Sequence, residues 1–409
     1  MVREGYRRTR LGIIPANWEI ISIENDFAFL PNNTLSWDCM NSVSGIVQNI
    51  HYGDVLTKYG SILDCENDDI PFIDSNIPIN TVGRTVQSGD VVIADTAEDA
   101  TVGKAVEVTN VANRKVLSGL HTIVLRPRPG LFAEKYLGYF MNSTVYQNQL
   151  LPHVVGTKVS SISKRGICDT IILRPPLREQ HNIVEVLSDV DGLIFALEKV
   201  IEKKKAIRKG VIQDLVTGKR RLPEFRGRWV EKTLGEFNIR KGSVIKQNQI
   251  KPGNIPVVAG GKKAAYYHNK HNREANTITV SASGSNAGFV NFWDCKIFAS
   301  DCSTIEESEN FDVRFVYYWL VNSQKAIYEL QTGGAQPHIL PSDLAPIVIR
   351  LPEKEEQTAI ADILSDMDKE IDMLKLKLSK AKHIKFGMMS DLLTGRVRMA
   401  STSDIWRKS

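Results

Sequence analysis

A 43-residue segment occurs twice in this chain, 177 positions apart, and no other feature of its 409 residues narrows the possible folds as much. Residues 180–222 and 357–399 align without a gap, and 17 of the 43 positions are identical. The shared positions include Leu187-Ser-Asp against Leu364-Ser-Asp, the glycines Gly210 and Gly387, and an Asp-Leu-x-Thr-Gly ending in both. Repetition at this length implies two copies of one structural unit.

Each copy reads as a long helix. Apolar residues fall at Ile183, Leu187, Val190, Ile194, Leu197, Ile201, Ile207, Val211 and Leu215 in the first copy. In the second they fall at Ile360, Leu364, Met367, Ile371, Leu374, Leu378, Ile384, Met388 and Leu392. Alternating steps of four and three are those of a coiled-coil seam, lapsing at Lys204 and Ala381. Gly218 and Gly395 follow the Leu-x-Thr ending, where a helix stop favours a residue tolerant of positive φ. Prolines mark the approach to each helix, Pro175–Pro176 and Pro352. The 38 residues from Gln180 to Thr217 would span about 57 Å at 1.5 Å per residue. Two such seams make each helix the natural antiparallel partner of the other, and that packing would relate the globular parts by an approximate two-fold axis.

Weaker similarity extends upstream. Phe132, Tyr136, Leu137, Tyr139 and Phe140 answer to Phe311, Phe315, Val316, Tyr318 and Trp319, with the spacing of a short amphipathic helix. Gly156, Ile162 and Ile167 match Gly333, Ile339 and Leu344, and Trp18 and Trp229 open the two units a few residues after a proline. Between these landmarks, Val91–Ala94, His121–Leu125 and Thr277–Val280 predict short strands. The fold class expected is α+β: two β-rich units and two long helices forming an antiparallel coiled coil, with pseudo-two-fold internal duplication. The interiors of the two units barely resemble each other, which suggests one kind of reader specialised twice.

Composition bounds the chemistry. Length suffices for two or three domains. No apolar run is long enough for a membrane-spanning helix, and the apolar stretch after Arg3, Arg7, Arg8 and Arg10 is cut by Pro15, so no signal peptide is expected and the chain reads as cytoplasmic. Cys39, Cys65, Cys168, Cys295 and Cys302 form no C-x-x-C pair, which points to reduced thiols and no metal site. Net charge is only +5, but residues 203–228 alone carry +8 and the rest of the chain −3. A basic run of this kind is a solvated helix end or a surface that meets phosphates or an acidic partner.

This series of motifs resembles the specificity subunit of Type I restriction–modification enzymes, over nearly the whole chain. It is carried by Pro175-Pro-Leu-x-Glu-Gln180, its cousin Pro352 with Glu356-Gln357, Leu187-Ser-Asp, Leu215-x-Thr-Gly-x-Arg-Arg-Leu-Pro-x-Phe225, and Trp229 followed by Leu234-Gly235. The resemblance implies a first target-recognition domain over 1–174, a spacer helix over 175–222, a second recognition domain over 223–349, a second spacer helix over 350–399 and a tail over 400–409. It further implies that each domain binds half of a split double-stranded DNA site and that the helices set the gap between the halves. Partners would be two methyltransferase subunits, with translocase–nuclease subunits in the full complex. S-adenosylmethionine would be held by the methyltransferase, leaving this chain with no cofactor and no catalysis. A coiled-coil assembly scaffold without sequence readout is the alternative.

Residues 240–273 offer the richer DNA-facing candidates, with eight Lys or Arg and no Asp or Glu. Lys246, Lys251, Lys262, Lys263 and Lys270 would contact phosphate, Gln247, Asn248 and Asn269 could read base edges, and Tyr266, Tyr267, His268 and His271 are interleaved among them. The first unit is less cationic: residues 1–170 sum to −3, with an acidic cluster at Asp64, Glu66, Asp68 and Asp69. Its basic candidates are Arg84, Lys104, Arg114 and Lys115. Enzymatic signatures are missing. There is no Asn/Asp-Pro-Pro-Tyr/Phe segment for a flipped base and no phosphate-binding G-x-x-x-x-G-K-[ST] loop. His121 and His338 read as isolated structural histidines.

Overall fold

A computed structural model describes residues 2–399, so the tail 400–409 lies outside the described residues. The chain forms two compact units, Met1–Ala196 with Leu378–Ser409, and Leu197–Lys377. Both long helices contribute to both units. The first runs Leu177–Val216 and the second Lys354–Leu392.

In the first unit a five-stranded sheet has the order Phe27–Leu30, Thr122–Pro127, Val91–Ala94, Ala105–Thr109, Ile62–Asp64. The last pair alone is parallel. The central Val-Val-Ile-Ala strand is buried on both faces, as an unbroken apolar run requires. Val91 and Ile93 enter the core of Trp18, Tyr136 and Phe140, while Val92 and Ala94 enter that of Ile50, Val55 and Leu63. That division is the two-residue period of a strand. A second sheet has the order Lys115–Ser118, Val47–Ile50, Phe72–Ile73, Met40–Asn41.

In the second unit a four-stranded sheet has the order Arg240–Lys241, Cys302–Ile305, Thr277–Ser281, Val290–Trp293. A three-stranded sheet has the order Tyr266–His268, Ile255–Val258, Phe298–Ala299. Ile278 and Val280 face a core built on Trp229, Phe315 and Val316. Each unit also holds a short helix on its core, Tyr136–Met141 in the first and Val313–Asn322 in the second.

Within each unit the long helices run antiparallel, the start of one against the end of the other. Ile183 and Leu187 share a core with Met389 and Leu392 in the first unit, as Ile212 and Leu215 do with Ile360 and Leu364 in the second. Of the seam positions, Ile183, Leu187, Ile201, Ile360, Leu364 and Ile371 are buried, and Val190, Ile194, Leu197, Met367, Leu374 and Leu378 are half-buried. The seam departs from the sequence reading at one place. Ile207 and Ile384 are exposed, and the four-three rhythm instead continues from Ile201 through Lys204 to Arg208, and from Leu378 through Ala381 to Lys385. Those charges have partners: Lys204 meets Glu370 at 2.7 Å, Arg208 meets Asp368, and Lys385 meets Asp191 at 2.6 Å.

Both helices end on the tryptophan that opens a unit. Gly218 (φ +71°) and Gly395 (φ +69°) take left-handed backbone, and a Cβ on either would lie 3.2–3.3 Å from the indole of Trp229 or Trp18. Positive φ favours glycine at both positions, and at Gly395 a Cβ would also collide with Pro15 Cδ.

Candidate nucleic-acid interface

Each unit is fastened to its helices by the same set of side chains. Gln180 accepts from the Ala133 backbone N–H at 2.8 Å and donates to the Pro175 carbonyl at 2.8 Å. Gln357 accepts from Asp312 N–H at 3.0 Å and donates to the Pro352 carbonyl at 2.8 Å. The preceding glutamates are also engaged. Glu179 takes both Arg398 nitrogens, Nε at 2.8 Å and Nη2 at 2.6 Å, and the indole N–H of Trp18 at 3.0 Å. Glu356 takes Arg221 in the same two-point manner, yet the Trp229 indole N–H is buried without a partner. The Pro…Glu-Gln motif is therefore a clamp between helix start, recognition unit and the Thr-Gly-x-x-Arg ending.

A second fastening lies further along the helices. The Tyr139 hydroxyl donates to Asp191 at 2.9 Å and sits 3.2 Å from Ser188, with the Lys385 ammonium 5.3 Å from its ring centre. The Tyr318 hydroxyl donates to Asp368 at 2.9 Å and sits 3.3 Å from Ser365, with the Arg208 guanidinium 5.8 Å above its ring. Thus one tyrosine from the short helix, one aspartate and one cation from the two long helices meet in each unit. Burial pushes both phenols far above their usual range, which keeps them neutral donors.

The short helices are capped differently. Glu107, from the Ala105–Thr109 strand, accepts the backbone N–H of Lys135 at 2.6 Å and of Gly138 at 2.8 Å. Its burial raises the carboxyl to about 8, against those donors. In the second unit Asp312 caps its own helix, accepting Arg314 N–H at 2.9 Å. Burial works to raise Asp312, but the Arg314 guanidinium at 2.7 Å holds it below the usual carboxylate range.

The surfaces that face outward follow from sheet topology. In the first unit Val47–Ile50 and Lys115–Ser118 pair in parallel, with Lys115 opposite Val47, so both strands are entered from one end. Phe72–Ile73 runs antiparallel beside them and exits at that same end. Loops 74–85 and 110–114 meet there, joined by the end of loop 42–46, which leaves Asn41 opposite Phe72 and crosses Phe72 at Gly45 to reach Val47. Asn41 braces loop 42–46 by accepting the N–H of Val43 and of Ser44, each at 3.0 Å, and it donates to Asp74 at 2.6 Å. Asn80 braces loop 74–85 by accepting Val82 N–H at 3.0 Å. Val86 N–H then bonds the Val116 carbonyl at 2.9 Å and returns the chain to the sheet.

This convergence gathers three of the sequence candidates, half-buried Arg84 and exposed Arg114 and Lys115. It also presents three residues that sequence reasoning missed: Val43, Ile46 and Val82 are 80–85 % exposed. Lys104 is placed elsewhere, with its ammonium donating to the Leu56 carbonyl at 2.9 Å and the Tyr59 carbonyl at 2.8 Å. Burial lowers its pKa, and a lysine held in this way has little left for a phosphate. The acidic cluster is absorbed into its own turn, where Asp64 accepts from Asn67 and Asn110, Asp68 from Asp64 N–H, and Asp69 pairs with Lys58 at 3.0 Å.

In the second unit the antiparallel pairing of Ile255 with His268 brings loop 246–254 and the segment after His268 to one end of the three-stranded sheet. Lys246, Lys251 and Lys270 are exposed there, and Lys251 N–H bonds His268 Nδ1 at 3.0 Å. The side chain of Gln247 lies outside the described residues. Lys262 and Lys263 occupy the turn at the opposite end of the same hairpin, close in sequence to Tyr266 and Tyr267, which are 42 % and 60 % exposed. The candidates thus fall into two groups. Two other basic residues of this region are used internally: Arg240 and Arg273 both meet Glu306, and Arg273 also donates to Thr304 and two backbone carbonyls. His121 is a structural histidine with partners of its own. Its Nδ1 lies 3.5 Å from Asp95 and 3.3 Å from Thr96 Oγ1, its ring edges Tyr52, and its φ is +55°.

Among the described residues no His, Cys, Asp and Glu group could hold a metal, and no helix is long and apolar enough to cross a membrane.

The comparisons agree with this architecture. Residues 47–208 and 227–383 match the Type I restriction modification DNA specificity domain, and the chain belongs to that family. A Methanocaldococcus jannaschii protein described as the specificity subunit of the type I restriction enzyme MjaX is 26 % identical, covering 97 % of both chains. The MjaVIII specificity subunit of the same organism is also 26 % identical, over 68 % of this chain and 73 % of its own. The crystal structure of a Type I restriction–modification S subunit from M. genitalium superposes with a TM-score of 0.62 at 18 % identity, over 92 % of this chain and 96 % of that one. The fold is that of S subunits, and the chain is a Type I specificity subunit with DNA-recognition domains.

Proposed function

We propose that this chain reads a bipartite double-stranded DNA site in the cytoplasm, with residues 1–174 and 223–349 as target-recognition domains that each read one half. The segments 175–222 and 350–399 are the spacers that fix the gap. The observation that carries this reading is the duplicated fastening: Tyr139–Asp191–Lys385 and Tyr318–Asp368–Arg208 hold two chemically different reading surfaces by the same means. Sequence readout needs base-contacting groups held to a fraction of an ångström, and rigid attachment to helices supplies that.

Methylation and cleavage reside in other chains, with two methyltransferase subunits docking on this one and translocase–nuclease subunits joining the full complex. The outer faces of the helices support docking, since Val200, Ile207, Met373, Leu376 and Ile384 are 41–71 % exposed and off the seam. Candidate DNA contacts are Arg84, Arg114, Lys115, Lys246, Lys251, Lys262, Lys263, Tyr266 and Lys270.

The test is to express the cognate methyltransferase subunit with and without this chain and sequence the modified adenines of the host genome. One split motif, methylated only when both chains are present, is the expected result. Methylation unchanged by omitting this chain would remove the reader and leave a scaffold.

A further inference from the structure

We propose that the first unit reads thymine through the 5-methyl group, using the aliphatic side chains of Val43, Ile46 and Val82 at the convergent end of its four-stranded sheet. This rests on the DNA-reading function above and specifies the chemistry of one half-site. Val43 is 85 % exposed, Ile46 80 % and Val82 84 %. Single exposed aliphatics are common, but here three sit on loops that the sheet topology brings together.

Two of the three are also presented by the same device. An asparagine two residues earlier accepts the valine's own N–H, Asn41 for Val43 and Asn80 for Val82. Such a turn fixes the backbone without spending the side chain. Gly45 lets the first loop close onto the sheet, because a Cβ there would fall 2.7 Å from Phe72 Cβ. The β-branched side chains add little rotamer entropy to be lost on contact.

The surroundings favour nucleic acid over a protein. Arg84, Arg114 and Lys115 lie on or beside these loops, and residues 39–53 and 75–89 contain no Asp or Glu. The carboxylates that touch these loops are already bonded, Asp74 to Asn41 and Asp64 to Asn67 and Asn110. Cations at the border would hold phosphates while the aliphatics reach the groove floor. In the major groove the thymine methyl is the one apolar mark on a base edge, and apolar side chains are its complement.

The experiment uses the complex of this chain with its methyltransferase and duplexes bearing the mapped motif, with thymines of each half-site replaced by uracil. That change removes only the methyl group. In one half-site uracil should weaken binding about fourfold, the equivalent of about 0.8 kcal/mol for one methyl-sized apolar group. The loss should vanish in the triple variant Val43→Ser, Ile46→Ser, Val82→Ser, whose substitutions at exposed positions leave the melting temperature unchanged. Uracil without effect in both half-sites, a loss that the triple variant retains, or half-sites lacking thymine would each overturn the proposal. Unaltered DNA selection with failed methyltransferase binding in the variant would also overturn it and assign the patch to a protein contact. Absence of any specific DNA binding by the complex would instead remove the underlying function.

Discussion

The two units are fastened alike and face outward with different chemistry. Both build a small sheet with a parallel pair at one edge, Val47–Ile50 with Lys115–Ser118 in the first and Ile255–Val258 with Phe298–Ala299 in the second, and both set loops where that pair is entered. The first fills those loops with valine, isoleucine and asparagine, the second with Lys246, Lys251 and Lys270. Inside, the pattern reverses. Glutamine, glutamate, tyrosine, aspartate and a cation recur with nearly the same distances. The fastening is what a duplicated unit keeps when its interior must pack the same helices, and the loops, free of packing duty, are where targets can diverge.

The fastening can be broken in either unit, with the largest effect expected. Asp191→Ala strands the Lys385 ammonium, only 19 % exposed, over Tyr139, and Asp368→Ala strands Arg208. Each should cost about 2–3 kcal/mol, below the range for fully buried pairs because the aspartates are one-third exposed. Urea midpoints check this. The double variant Asp191→Lys with Lys385→Asp should recover part of the loss, and its failure to do so would mean that the tyrosine contact, not the ion pair, carries the coupling.

The tryptophans sharpen the comparison. Trp18 donates to a carboxylate, whereas the Trp229 N–H has no partner. Replacement by phenylalanine should therefore destabilise at position 18 by about 1.5–3 kcal/mol more than at 229. Equal midpoints would show that the indole hydrogen bond contributes nothing.

The caps should give the units opposite responses to pH. Glu107 keeps a proton in the folded state that the unfolded chain loses above about 4.5, so its stabilisation is full below that value and declines as pH rises toward about 8. Asp312, held low, stabilises above its ordinary 3.8 and loses that contribution as pH falls through the lower folded value. Hydrogen exchange followed in each unit from pH 2 to 9 should show the first unit loosening toward alkaline pH and the second below the ordinary 3.8 of Asp312. Glu107→Gln should flatten the alkaline limb alone.

The smallest effects are at the loops. Lys246→Ala, Lys251→Ala and Lys270→Ala should each reduce the slope of log affinity against log salt by about one, uniformly across sequences. The serine variant of Val43, Ile46 and Val82 should leave that slope unchanged. A salt slope altered by the aliphatic loops, or untouched by the lysines, would erase the contrast between the units.

Much of this architecture was legible from residues 180–222 and 357–399, because a helix repeats its inner face every three to four residues and a duplication repeats it twice. The misreading at Ile207 and Ile384 has a definite cause. Hydrophobicity marks a seam only while the seam is apolar, and here it turns ionic at Arg208 and Lys385, so the nearest isoleucine took the place of a charged seam residue. The lysines of 240–273 were visible as a run without carboxylates, but the division between the two ends of a hairpin was not, since it depends on which strands pair.

By itself the sequence determined the repeated unit and the two long helices, since these follow from duplication and local periodicity, while its Pro…Glu-Gln and Leu-x-Thr-Gly motifs carried the resemblance to the family. Only the tertiary structure decided which side chains meet. It spent Lys104, Arg240 and Arg273 inside the fold, shifted Glu107 and Asp312 in opposite directions, and brought loops 74–85 and 110–114 to the sheet end that loop 42–46 enters. Those outcomes depend on strand order and on contacts between residues dozens of positions apart, and local spacing carries no record of them.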